Sequence, residues 1–213
     1  MSPTLALVAI AAAFAAGVLT TWPHRHRLAT RLAATRYLLL IDPLTGLPNR
    51  TGLTAGHTGW VHQRQSLTLI LVDLDGFKTV NDTHGHHVGD QLLAAVATTL
   101  RQLATAHGGL AARLSGDEFA LLLPVRTGGF DRLAELARTL IADTRCAEPG
   151  VAITASVGIH TADHTHTFDQ LLRAADLALY HAKQTGGDTH TTYQPGMAMP
   201  SHRLRDQRRQ VNP

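Results

Sequence analysis

Residues 112–124, ARLSGDEFALLLP, join two apolar runs through a turn of two residues, and no other stretch constrains the chain as much. The flanks, Gly109–Leu114 and Phe119–Pro124, are predicted as short buried strands, and Gly116-Asp117 is a Gly-X pair of the kind that closes a two-residue hairpin. The tip is what needs explaining. Adjacent carboxylates, Asp117 and Glu118, stand between segments that must be buried. As a solvated turn they need no function; as part of a carboxylate cluster they need a cation.

The rest of the chain supplies a sheet for this hairpin. LTLILVD (67–73) and VAITASVGI (151–159) read as buried strands. Residues 86–106 read as a helix with Val88, Leu92, Val96 and Leu103 on its apolar side. FDRLAELARTLIAD (130–143) and FDQLLRAADLALYHAKQ (168–184) are also helical, the second stopped by Gly186-Gly187. Strands and helices interleave around a hairpin, which predicts an α/β or α+β fold: a central sheet with helices packed against it.

The ends read differently. TLALVAIAAAFAAGVLTTW (4–22) carries no charge and, at about 1.5 Å per residue, approaches the roughly 30 Å hydrocarbon thickness of a bilayer. Arg25, Arg27, Arg31 and Arg36 follow it and predict a cytoplasmic C-terminal side, with Trp22 near the interface. A cleaved signal peptide competes, since Ala13-Phe14-Ala15 resembles a cleavage site, but no basic stretch precedes the apolar run. A buried soluble helix is the third reading. Residues 28–41, LATRLAATRYLLLI, predict a helix with Leu28, Leu32 and Leu39 near one face, able to pack on a second copy of itself and ended by Asp42-Pro43. The expected divisions are an anchor over 1–23, a linking helix over 24–41, a catalytic domain over 42–193 and a loose basic tail over 194–213.

Composition narrows the partners. The pI is about 9.5, yet the formal charge is only +3 and the arginines gather at the two ends. With aromatics at 5%, no nucleic-acid partner is expected. The single Cys146 excludes an internal disulfide and any cysteine-based zinc pattern.

LTLILVD delivers Asp73 at its end, where a carboxylate is poorly solvated unless a cation meets it. If the hairpin tip lies beside that end, Asp73, Asp117 and Glu118 form a three-carboxylate cluster suited to Mg²⁺ or Mn²⁺. Lys78 is a point charge of the kind that holds phosphate. Asn81 and Asp90 bracket a turn containing Gly85 and Gly89. An ionised Asp90 is acceptor-only and could take the N1–H and N2–H₂ donors of guanine, a pair adenine lacks.

DPLTGLPNR (42–50), DLDGFKTVNDTHGHHVGD (73–90), RLSGDEF (113–119), SVGI (156–159) and ADLALYHAK (175–183) occur in the order and approximate spacing of the GGDEF family of diguanylate cyclases, which the chain resembles over roughly residues 42–193. The resemblance implies a palm-like α+β fold, similar to nucleotide polymerases and class III nucleotide cyclases. It also implies condensation of two GTP into cyclic di-GMP across a homodimer, with loss of two pyrophosphates. By the same resemblance Asp73 and Glu118 are metal ligands, Leu74 contributes its carbonyl, and Asp117 is a further ligand or helps deprotonate the 3′-hydroxyl. Asn81 and Asp90 read guanine, Lys78 and Lys183 contact the triphosphate, His86 lies near the nucleotide, and Gly116 lets backbone approach it. The alternative is a degenerate member that binds GTP or a partner without turnover.

The departures are specific. Ser115 replaces the first glycine of the signature, a cost if that position needs positive φ. Gly187 stands where a basic residue is usual. The family's product-inhibition charges are missing at Ala106 and Gly109 within Ala106-His107-Gly108-Gly109. TGLTAGHTGWVHQRQ (51–65) is glycine-rich where a robust helix is usual, so a short or frayed helix is expected. His160, His164 and His166, like His84, His86 and His87, have only loose ligand-like spacing, and the first group reads as solvated loop residues.

Overall fold

The computed structural model describes residues 22, 39–125, 129–144, 148 and 150–198. The apolar segment 4–21, most of the helix expected over 28–41, Cys146 and the tail beyond 198 lie outside them. Among the described residues no helix is long and apolar enough to cross a membrane.

The unit from Leu40 onward is built on five strands. In chain order its elements are α1 (Arg50–His62), β1 (Leu67–Asp75), α2 (Phe77–His84), α3 (His86–Ala106), β2 (Leu110–Ser115), β3 (Glu118–Pro124), α4 (Phe130–Ala142), β4 (Thr154–Ala162), α5 (Phe168–Gln184) and β5 (His190–Thr192). The sheet order is β2-β3-β1-β4-β5. All neighbours are antiparallel except β4 and β5, so the sheet is mainly antiparallel, with helices packed on it as the α/β or α+β expectation had it.

Because strand side chains alternate, β1 feeds two cores. Ile70, Val72 and Leu74 meet Leu92, Val96 and Leu100 of α3 and Leu133, Ala137 and Ile141 of α4. Leu67, Leu69 and Leu71 meet Leu53 of α1 and Phe168, Leu171 and Leu179 of α5. A strand covered on both faces reads as an unbroken apolar run, which is why LTLILVD was legible.

Three expectations need correction. The strand expected over 151–159 is Thr154–Ala162: its span is set by β1, whose Leu67 and Asp75 pair with Ala162 and Thr154. The helix expected to fray is a regular one, Arg50–His62, with Asn49 Oδ1 accepting the Gly52 N–H at 3.0 Å. Its glycines are packing sites, since a Cβ on Gly52 would strike the Leu40 carbonyl and one on Gly56 the Leu110 side chain. The turn expected between Asn81 and Asp90 shrinks to Gly85: Asn81 lies within α2, of which only Phe77 and Val80 are buried, and Gly89 lies within α3. The short strand β5 was not foreseen.

Candidate active site

Asp73 is on the same face of β1 as Leu69 and Leu71, so it looks toward α5 rather than α3. Directly opposite it in register stands Glu118, the first residue of β3. The hairpin turn lies against the next residue of β1: the Leu74 N–H donates to the Asp117 carbonyl at 3.3 Å. The sequence condition that the tip lie beside the end of β1 is therefore met.

Asp73 is 8% exposed. Burial pushes its carboxyl pKa up; Lys183 pulls it down again, and Asp117 and Glu118 add to the rise. The cation beside it is Lys183, in the last turn of α5, with Nζ 2.6 Å from Asp73 Oδ2. Glu118 Oε2 accepts the Ser115 hydroxyl at 3.0 Å. Ser115 has negative φ, and the positive φ of the turn falls on Gly116 at 47°, so the departure from the family signature carries no backbone strain.

The turn is held from outside by Arg113. Its Nε and Nη2 donate to the Gly116 carbonyl at 2.9 and 2.6 Å, while Nη1 lies 3.2 and 3.3 Å from the two carboxylate oxygens of Asp42. Asp42 in turn accepts the Thr45 N–H and hydroxyl at 2.8 and 2.6 Å. Burial alone would raise the Asp42 pKa, but the Thr45 bonds and the Arg113 guanidinium hold it below its ordinary value. This link spans 71 positions and has no signal in the sequence pattern around either residue.

Asp75 was also missed. It accepts from Thr154 at 3.0 Å, Ser156 at 2.7 Å and the Asp188 N–H at 2.9 Å, tying the loop after α5 to the end of β1. Gly187 lies in that loop at φ +78°, where a Cβ would stand 3.1 Å from Asp75 Oδ1. Arg138 pins the same loop through Asp188 at 2.6 Å.

Asn81 lies on α2 and Asp90 on α3, and the two helices are brought together at Gly89: a Cβ there would collide with Asn81 Oδ1. Asp90, Lys78 and His86 are exposed on this side. On the α5 face a cleft of about 430 Å³ opens beside Ser115 and Glu118, with Arg50, Arg173 and Asp176 on its walls.

Among the described residues no three His, Cys, Asp or Glu side chains close on one point, so the expected carboxylate cluster is a facing pair with Asp117 alongside. Two carboxylates and the Leu74 carbonyl do not make a complete cage. They do fit Mg²⁺, which keeps several waters and is commonly held by one or two carboxylates together with substrate phosphates. Among the described residues the histidines form no such group either: His160, expected in a solvated loop, is a half-buried residue of β4 packed edge-on against Tyr193, where burial and then the charge of His166 lower its pKa, and His166 pairs with Asp163 at 3.0 Å.

The mainly antiparallel, palm-like sheet flanked by helices thus presents facing carboxylates at one strand end. The model of the family described as diguanylate cyclase, GGDEF domain, matches residues 39–189, and the chain belongs to that family. It is 36% identical over 166 residues to the diguanylate cyclase VdcA of Vibrio cholerae, aligning 75% of this chain with 49% of VdcA. It is 39% identical over 186 residues to the bifunctional cyclase and phosphodiesterase MucR of Pseudomonas aeruginosa, aligning 80% of this chain with 26% of MucR. The chain thus spans about half of one relative and a quarter of the other. The coiled coil and GGDEF domain of DgcB from Caulobacter crescentus, solved with c-di-GMP, superposes with a TM-score of 0.72 at 27% identity, covering 84% of this chain and 98% of that one.

Proposed function

We propose that this chain is an active diguanylate cyclase, dependent on Mg²⁺ or Mn²⁺ and working as a homodimer with one GTP per subunit. The observation that carries this reading is the facing of Asp73 and Glu118 in register, with Lys183 on Asp73 and Asp117 in the adjoining turn. Asp73, Glu118 and the Leu74 carbonyl would hold the metal, which when bound offsets phosphate charge and polarises the α-phosphate.

The protein's own part is positioning. Asn81 and Asp90 hold guanine, Lys78 and Lys183 the triphosphate, with His86 beside the nucleotide and Gly116 giving it close backbone. Each ribose 3′-oxygen forms a bond to the α-phosphorus of the other GTP, the bond from that phosphorus to the β-phosphate bridging oxygen breaks, and pyrophosphate leaves. The 3′-hydroxyl proton passes to Asp117 or to water. Two such steps close the ring.

The membrane anchor over residues 4–22, with the catalytic domain on the cytoplasmic side, belongs to the same proposal and rests on the uncharged run and the arginines after it. The rival reading, a domain that binds GTP or a partner without turnover, is favoured by Gly187 alone. Ser115 does not favour it, being unstrained.

The test is incubation of the purified protein with GTP and Mg²⁺, with and without a fused dimerising coiled coil, beside Glu118→Gln, with products read by mass spectrometry. Cyclic di-GMP that disappears in the variant supports turnover. A folded dimer that binds GTP and makes none supports the rival.

A further inference from the structure

Asp73 carries a counter-ion that belongs to the protein. Its side chain is 11% exposed and its ion pair is with Lys183, whose side chain is 36% exposed and stands in the last turn of α5. Glu118, opposite in register, leans instead on the neutral Ser115 hydroxyl. The other cation tied to this loop, Arg138, is engaged by Asp188 and Glu135 at 2.6 and 2.5 Å, and Gly187 offers no side chain. A divalent cation reaching Asp73 therefore meets an ammonium already on the same carboxylate.

We infer that Lys183 is an exchangeable counter-ion which makes divalent-cation and triphosphate binding cooperative. This rests on the proposed GTP reading. Metal alone must either share Asp73 with a like charge or drive Lys183 into water, and it finds only a facing carboxylate pair and a carbonyl to replace its hydration. Metal with a nucleoside triphosphate avoids both costs. The phosphates complete the metal's coordination and give Lys183 a new acceptor, which its partial exposure allows it to reach. By linkage, each ligand then raises the affinity of the other by the same factor.

The experiment measures Mn²⁺ binding to the full chain in detergent by electron paramagnetic resonance. It is run at mildly alkaline pH, where carboxylates are ionised. Wild type, Lys183→Met, Lys183→Gln and Lys183→Arg are compared with Mn²⁺ alone and with Mn²⁺ plus guanosine 5′-[α,β-methylene]triphosphate, and Asp73→Asn subtracts binding elsewhere. In wild type the nucleotide should tighten Mn²⁺ about tenfold or more. In Lys183→Met and Lys183→Gln, Mn²⁺ alone should bind several-fold tighter than in wild type and the coupling should shrink; Lys183→Arg should restore it.

Unchanged or weaker Mn²⁺ binding in the two neutral variants overturns the inference. Failure of wild type to bind the nucleotide with Mn²⁺ overturns the GTP reading instead, and the Mn²⁺-alone comparison still decides whether Lys183 competes with the metal.

Discussion

Ser115 donates its hydroxyl to Glu118 Oε2 at 3.0 Å across the hairpin turn, so the residue that departs from the family signature touches one of its two carboxylates. The bond is solvent-exposed, and one such bond contributes about 0.5–1.5 kcal/mol. Ser115→Ala should therefore lower cyclic di-GMP formation by roughly tenfold at most. Glu118→Gln should abolish it. Steady-state rates for the two variants decide: equal losses would mean that Ser115 has a role beyond orienting Glu118.

Arg113 ties the same turn to Asp42, whose side chain is 19% exposed against 12% for Arg113. Arg113→Ala frees both the Gly116 carbonyl and a half-buried carboxylate, and should cost about 1–3 kcal/mol of stability. Arg113→Lys should not rescue it, because one ammonium cannot span the carbonyl and the carboxylate as the planar fork does. A denaturation cycle with Asp42→Ala should reveal coupling between the two sites; strict additivity would dissolve the clamp.

What was legible in the sequence followed from local pattern. The unbroken apolar run of β1 and the two-residue tip before β3 placed Asp73 and Glu118 each at a strand end, and the pairing of β1 with β3 is what makes those ends neighbours. The helix α2 was hidden because only Phe77 and Val80 of its residues are buried. The helix α1 was undervalued because Gly52 and Gly56 weaken helix propensity while serving as contact points for Leu40 and Leu110. Links such as Asp42 to Arg113, or Asp75 to Ser156 across 81 positions, leave no periodic trace in the chain and emerge only when the sheet aligns its ends.

Asp73 gives a pH dependence of definite sign. Its pKa is raised, chiefly by burial, so between the ordinary value of 3.8 and its folded value the folded state holds more protons than the unfolded one. Stability contributed by this group therefore falls as pH rises through that window. Asp73→Asn should be more stable than wild type near neutral pH, with the gain vanishing as the pH falls toward 3.8. Urea denaturation of both proteins across that range would expose the opposite sign if Lys183 outweighed the burial cost.

Product inhibition through the usual family position should be absent. Ala106, His107 and Gly108 line a cleft of about 380 Å³ together with Phe130 and Arg132, but Ala106 and Gly109 bring no charge to it. Nor can an acid be installed at Gly109 without disturbance: a Cβ there would stand 2.6 Å from the Leu122 carbonyl and strike the Leu123 side chain. Gly109→Asp should cost roughly 1–3 kcal/mol by overpacking. Initial rates with added cyclic di-GMP should show no inhibition that Ala106 or Gly109 substitutions relieve.

Restoring the usual basic residue at Gly187 should fail as a gain of function. The backbone there has φ +78°, which costs an L residue about 1–2 kcal/mol, and the new Cβ would lie 3.1 Å from Asp75 Oδ1. That Cβ contact is with the Asp75 carboxylate itself, so an arginine at this position would loosen its bonds to Ser156 and the Asp188 N–H. Gly187→Arg should lower the melting temperature and leave the KM for GTP unchanged. A several-fold drop in KM at unchanged stability would mean instead that the loop rearranges around the nucleotide and that Asp75 does not fix it.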